Sequence, residues 1–400
     1  MKSKRTLPLL LAAVVFLLAG IVFIAGAQNG LTPEEQLGKS IFFDENLSIN
    51  RNQSCASCHG PGVGWTGPLE VINAHGAVYE GSVEGLFGNR KPPSAAYATL
   101  SPIFHQDKDG LFEGGNFWDG RATGEKLGNP AADQAQGPFL NPVEQALPSS
   151  DMVVDRVCNP ADPGAYPVSF EDVWGEGACD DHAAAYDQIA LSIAAYEASN
   201  EVNAFSSKYD QTFGGKVKLS KEEQRGYALF RGKGMCQRCH PGNGQEALFT
   251  DFTFDNLGVP KNPENPVYDV DPDFVDLGLG GFLMTAGYDE DVYEAELGKQ
   301  KVPTLRNVDK RPDEGFVKAF GHNGYFKSLE GIVHFYNTRD VKPVCPGAYT
   351  EVEALAAGCW PAPEVAENVN TDELGNLGLT PDEEAAIVAF LKVLSDGYIP

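Results

Sequence analysis

A chain of 400 residues with 42% hydrophobic content holds enough apolar mass for a large core and is long enough for two or three domains, which excludes an intrinsically disordered protein. Its 56 acidic residues against 30 basic ones give a formal charge of -26. That balance argues against a nucleic-acid partner and leaves a soluble acidic surface or a basic protein partner.

In chain order, the first 27 residues differ in kind. Lys2, Lys4 and Arg5 precede an apolar run from Leu7 to Ala27 that ends in Ala25-Gly26-Ala27, the pattern of an export signal. The run is long enough to span a bilayer, so residues 1–27 are expected to be a cleaved signal peptide or an uncleaved amino-terminal anchor, the one membrane attachment foreseen. Both place the body of the protein in the periplasm or an equivalent exported compartment.

The body contains a duplication. "LGKSIFFDENLSINRNQSCASCH" and "RGYALFRGKGMCQRCH" each carry a glycine (Gly38, Gly226), followed by an aliphatic-aromatic pair (Ile41-Phe42, Leu229-Phe230) and then a cysteine motif. Each is preceded by a helix-start signal, Thr32-Pro33-Glu34-Glu35 and Ser220-Lys221-Glu222-Glu223, in which a hydroxyl caps the helix and an acid reaches back. Residues 182 to 199 set Tyr186, Ile189, Ile193 and Tyr196 at helical spacing and are expected to close a first domain. A last helix starts at Thr380-Pro381-Asp382-Glu383, sets Ile387, Phe390, Leu391 and Leu394 on one face, and closes a second. The Gly/Pro-rich segments 60–95, 127–180, 255–282 and 340–378 read as loops. With alternating patterns scarce, the fold class is mainly α. The expected domains are 28–202 and 203–400, with a linker near 203–219.

Two motifs carry the chemistry. Cys55 to His59 ("CASCH") and Cys236 to His240 ("CQRCH") are C-x-x-C-H sequences, the attachment site of a covalent c-type haem. Two thiols one helical turn apart reach both vinyl groups of a porphyrin, and the adjacent histidine lies beneath the iron. A zinc site or a redox-active thiol pair is the alternative for one such motif. Two, with aligned flanks in an exported chain, point to two haems attached at Cys55, Cys58, Cys236 and Cys239, with His59 and His240 as proximal ligands. Of the eight cysteines this leaves four in an oxidising compartment. Cys158 with Cys179 and Cys345 with Cys359 are the expected pairs, since each closes a short loop in an irregular segment; free thiols are the alternative.

What a haem does depends on its other face. "NFWDGRA" (Asn116 to Ala122), "QAQGP" (Gln134 to Pro138) and "NPVEQ" (Asn141 to Gln145) follow the first motif. Peroxide cleavage needs a group that takes a proton from one oxygen and returns it to the other, a role for the Glu144 carboxylate with Gln134 orienting the peroxide. A helix cap is the plainer role for Glu144.

With these pieces in place the chain resembles the bacterial dihaem cytochrome c peroxidase and MauG family over residues 31 to 396. Further matching segments are "LGKSIFFDENLS", "PTLRNV", "HNGYFKSLEGIV" and "LTPDEEAAIVAFLKVL". The resemblance implies two cytochrome c-like domains, an amino-terminal peroxidatic haem, a carboxy-terminal low-spin haem, and a tryptophan, here Trp118, that relays electrons between them. Core packing is the plainer role for Trp118. Gln134 and Glu144 match the family's distal pair. His75 falls where some members carry a histidine that ligates the first iron at rest, in a longer loop than the family's. His322 falls near the second haem, as a packing or hydrogen-bonding residue, while His105 and His182 read as surface residues. A calcium ion between the domains is also implied, with Asn89 and the carbonyls of Val317 and Ala319 as its weakly matched donors.

The branch of the family turns on the second iron's other ligand. Met1 and Met152 lie outside the second domain, Met235 adjoins its cysteine motif, and Met284 lies in a glycine-rich stretch. Aligning "SLEGIVHFY" with the family helix puts Tyr336 at the ligand position, as in MauG, with His334 the nearest competing donor. The expected function is therefore a MauG-like peroxidase that uses hydrogen peroxide to oxidise a partner protein. A cytochrome c peroxidase fed by a small cytochrome and a non-enzymatic dihaem electron carrier are the alternatives.

Overall fold

The computed structural model describes residues 30–215 and 217–400. The export signal or anchor expected over residues 1–27 lies outside the described residues. Among those described, no helix is long and apolar enough to cross a membrane.

The repeated sequence folds into a repeated crossing. Helix Pro33–Phe42 starts in a capping box between Thr32 and Glu35, and helix Lys221–Arg231 in one between Ser220 and Glu223. The first packs on helix His182–Ala198 and the second on helix Pro381–Lys392, the two most extensive helix pairings of the chain. At each crossing the shared glycine is required. A Cβ on Gly38 would collide with the Ser192 carbonyl, and one on Gly226 with the Ala386 carbonyl. Helix axes come this close only where no side chain intervenes.

Two hydrophobic cores follow. One gathers Ile41, Phe42, Phe139, Val153, Ile189 and Tyr196; the other gathers Phe230, Phe249, Phe335, Trp360, Phe390 and Leu394. A smaller cluster joins Phe104 and Phe112 to Phe254, Leu279 and Leu283, so the halves also share apolar packing. Strand content is slight, as expected: His105–Gln106 pairs antiparallel with Phe112–Glu113, and Phe254–Asp255 with Gln300–Lys301.

The expected loops need correction. Segment 127–180 holds helices Pro130–Leu140, Ser150–Cys158 and Pro167–Trp174, and helices Gly278–Ala286 and Glu351–Ala357 occupy parts of two others. These helices are too short for a strong periodic signal, and Gly137-Pro138 lies inside the first. Their caps were the readable sign: the side chains of Asn129, Ser149 and Thr350 accept the backbone N–H groups of Ala131, Met152 and Glu353. The expected linker likewise holds helix Lys208–Phe213. Both disulfides pair as expected, Cys158 with Cys179 and Cys345 with Cys359. They staple the irregular segments around the short helices.

Candidate functional site

Cys55 and Cys58 bracket a single helical turn capped by Ser54, and Cys236 opens a 3-10 turn that runs to Arg238 just before Cys239. All four thiols are unpaired and each pair lines a cavity. Both cavities open to solvent, and the space around their lining, open solvent included, is about 1130 Å³ for the first and about 1410 Å³ for the second. Burial pushes the Cys58 and Cys236 thiols up to about 12. Among the described residues the one convergent group of possible metal donors is Cys239, Asp255 and Glu373, which includes neither motif histidine. Each cavity thus brings a cysteine pair and a histidine to the edge of a space that fits a large planar ring.

The two histidines are set alike. Nδ1 of His59 lies 3.2 Å from the Trp65 carbonyl, and Nδ1 of His240 lies 2.8 Å from that of Phe249. Each carbonyl fixes the tautomer and leaves Nε2 as a free lone pair, the usual support of a metal-binding imidazole. Burial lowers the proton affinity of both, bringing His59 to about 4, so each ring is neutral and available as a ligand at pH 7.

The first cavity also holds Gln134 and Glu144, on helix Pro130–Leu140 and in the turn after it. Asn141 Nδ2 donates to Glu144 Oε2 at 2.7 Å. Burial raises the Glu144 pKa, with Asn141 and the charge of Arg121 opposing. A carboxyl with raised proton affinity, oriented by one amide, is equipped to accept and return a proton.

Trp118 lines both cavities. Its indole N–H donates to the Lys91 carbonyl at 2.8 Å, and its own carbonyl accepts the Lys301 N–H at 2.7 Å. The sequence reading missed these two lysines, although a repeat marks them: Lys91-Pro92-Pro93-Ser94 and Lys301-Val302-Pro303-Thr304 share the pattern K-x-P-S/T. Pro93, Ser94 and the stretch from Lys301 to Thr304 line both cavities with Trp118. The wall between the two centres is thus built from the same tetrapeptide of each half, with the tryptophan clamped between them. Glu197, also unflagged, lines the first cavity and is held neutral by burial, its pKa pushed to about 8.

In the second cavity, Tyr336 and His240 line the same space and also share an apolar lobe beside it. Burial pushes the Tyr336 phenol well above its ordinary value, with the nearby acidic groups adding to the effect. His334 turns the other way: its Nδ1 lies 3.0 Å from Glu384 Oε1, and its ring packs against Trp360. Met284 is exposed, whereas Met235 lines the cavity beside Cys236. His322 lines it as well, edge-on to Trp118 with ring centroids 6.5 Å apart and Nε2 3.9 Å from Glu364 Oε2.

His75 lines neither cavity; its ring is exposed and lies 3.0 Å from Glu264 Oε1, and its carbonyl accepts from the Asn262 amide and the Lys327 amine. Of the expected calcium donors, the Val317 carbonyl accepts from Asn73 Nδ2 at 3.3 Å, and beside the Asn89 side chain that residue's own carbonyl accepts from Asn265 Nδ2 at 2.8 Å. His105 is exposed and His182 is half-buried, its Nδ1 3.2 Å from Asp151 Oδ1.

Two large cavities, each with a cysteine pair and a buried imidazole, divided by one tryptophan wall, define a two-centre redox protein. The chain belongs to the di-haem cytochrome c peroxidase family. The model of that family matches residues 32–218. The chain is 36% identical to the methylamine utilization protein MauG of Paracoccus denitrificans, over 95% of this chain and 94% of that protein. It is 28% identical to the cytochrome-c peroxidase IdrP1 of Denitromonas iodatirespirans, over 92% and 83%. Among solved structures, the diheme peroxidase BthA from Burkholderia thailandensis superposes with a TM-score of 0.77 at 29% identity, over 92% of this chain and 87% of that one. Membership makes the protein an oxidoreductase with two haems, and implies peroxide as its oxidant and a redox partner protein.

Proposed function

We propose that this chain is an exported, MauG-like dihaem peroxidase that oxidises a partner protein. Cys55 and Cys58, and Cys236 and Cys239, would hold the haems covalently, and His59 and His240 would ligate the irons. When bound, the haems supply peroxide cleavage at the first centre and storage of oxidising equivalents at the second. The chain supplies proton handling and positioning. Glu144 would take a proton from one peroxide oxygen and return it to the other, while the Gln134 amide would orient the molecule. Trp118 would couple the centres. Tyr336 and His240 would hold the second haem's iron, and an anionic phenolate there would favour high oxidation states.

The observation that carries this reading is the shared lining of the second cavity by His240 and Tyr336, while His334 is turned away to Glu384. A phenol pushed up by burial becomes a phenolate only beside a strong cation, and ferric iron is one. The test is the ferric absorption and electron paramagnetic resonance spectrum, before and after one equivalent of peroxide. Tyr336→Phe is expected to change the second centre's ligand field and abolish its oxidised signature; an unchanged spectrum would sink the reading.

The second reading, a peroxidase drawing electrons from a small cytochrome, is favoured by Met235 lining the same cavity. It predicts that Met235→Leu, and not Tyr336→Phe, changes the second ligand field, together with rapid turnover on a reduced cytochrome.

A further inference from the structure

The seam between the two halves is where the resemblance puts a calcium ion, a hard cation that takes six to eight oxygen ligands. In this chain the seam is lined by amines. Lys318 is 5% exposed and donates to three main-chain carbonyls: Val63 at 2.9 Å, Asn307 at 2.7 Å and Lys310 at 3.1 Å. Val63 belongs to the turn after the first cysteine motif, and the other two follow "PTLR" in the second half. One side chain therefore ties the halves together through the kind of oxygen that calcium would use.

Lys91, 7% exposed, stands beside it and donates to Thr66 Oγ1 at 2.8 Å and to the Pro92 carbonyl at 3.0 Å. Its charge acts on Lys318, and both lysines line the second cavity. Neither forms an ion pair among the described residues; two carboxylates lie nearby, Asp309, whose charge acts on Lys318, and Glu70, which accepts the Val317 N–H at 3.4 Å. The carbonyls of Asn89 and Val317 are engaged by asparagine amides. A divalent ion entering here would have to displace these donors and sit against amines.

We infer that in this chain Lys318, with Lys91 beside it, takes the place of an interdomain metal ion, so that the seam is closed by a tethered amine and the protein is calcium-independent. Three accepting carbonyls match three N–H donors, a geometry that favours the ammonium against the burial and the Lys91 charge that lower its proton affinity. Unlike a bound ion, this cation cannot dissociate.

The test uses the purified protein with both haems in place. Elemental analysis is expected to find calcium far below one equivalent per chain, and treatment with EGTA to leave both haem spectra and the thermal midpoint unchanged. One equivalent of calcium whose removal alters either would overturn the inference. Lys318→Ala frees the three carbonyls: its midpoint is expected to drop by a few degrees and to rise again on adding calcium chloride, while the wild type does not respond. An equal response of both proteins to calcium would also overturn it.

Discussion

Glu144 has to be a base in water-poor surroundings. Burial holds its proton affinity above that of an ordinary carboxyl, and Asn141 keeps one oxygen in place. A base works in its deprotonated form, so the rate of reaction with peroxide should rise with pH through a midpoint above the usual glutamate value near 4.3. Glu144→Gln should lower that rate by about 10²–10⁴-fold and remove the acid limb, with the ferric spectrum unchanged. Stopped-flow mixing across pH measures both. A variant that keeps the limb would assign it elsewhere, and Glu197, neutral at pH 7 in the same cavity, is the next group to test.

The two cysteine pairs and their adjoining histidines were legible in the sequence because the C-x-x-C-H spacing is fixed, and each set lines one cavity. The second cavity's phenol was legible only through alignment with relatives, since a tyrosine on an amphipathic helix looks like packing until its cavity is known. Lys318 was illegible, because a lysine between apolar residues reads as surface, and only the folded seam shows three carbonyls converging on it.

At the scale of elements, the duplicated helix crossing makes a sharp prediction. Gly38→Ala and Gly226→Ala each force a methyl against a backbone carbonyl of the partner helix and should cost about 1–3 kcal/mol. Gly62→Ala, which meets open space, should cost little. Urea unfolding of the three variants checks this, and equal effects would mean that the crossings tolerate a wider spacing. Loss of the Cys345–Cys359 bridge, which closes a loop of sequence separation 14, should cost about 3 kcal/mol. Comparing the oxidised protein with the Cys345→Ser, Cys359→Ser variant measures it. These crossings and staples followed from repeats and spacing. The short helices of 127–180 did not, because three turns or fewer give the periodic signal too little length and capping alone announces them.

For the whole molecule, charge acts across the halves as well as at the surface. Arg90 reaches Asp119 and Asp276 at 2.6 Å each, joining segments far apart in the chain. Burial would raise the Asp276 carboxyl, but Arg90 outweighs it and holds the group well below its ordinary range. The unfolded value is near 3.9, so this contribution to stability is present above about pH 4 and is lost as pH falls below it. Arg90→Met should cost about 3–5 kcal/mol by leaving buried carboxylates unpaired, and should move acid unfolding to higher pH, as followed by circular dichroism. The exterior is strongly acidic. Reaction with a basic partner protein should therefore slow as ionic strength rises, whereas an acidic partner would show the opposite trend.

The clamped tryptophan has one more consequence. Lys301 and the three residues after it, all from the second half, also line the cavity that contains His59 and Glu144. An amino-terminal half expressed alone would lack a side of its own reaction chamber and leave Trp118 facing solvent. Despite the doubled sequence, the amino-terminal half is expected to be inactive alone, and grafting it onto a foreign partner would transplant an unfinished room.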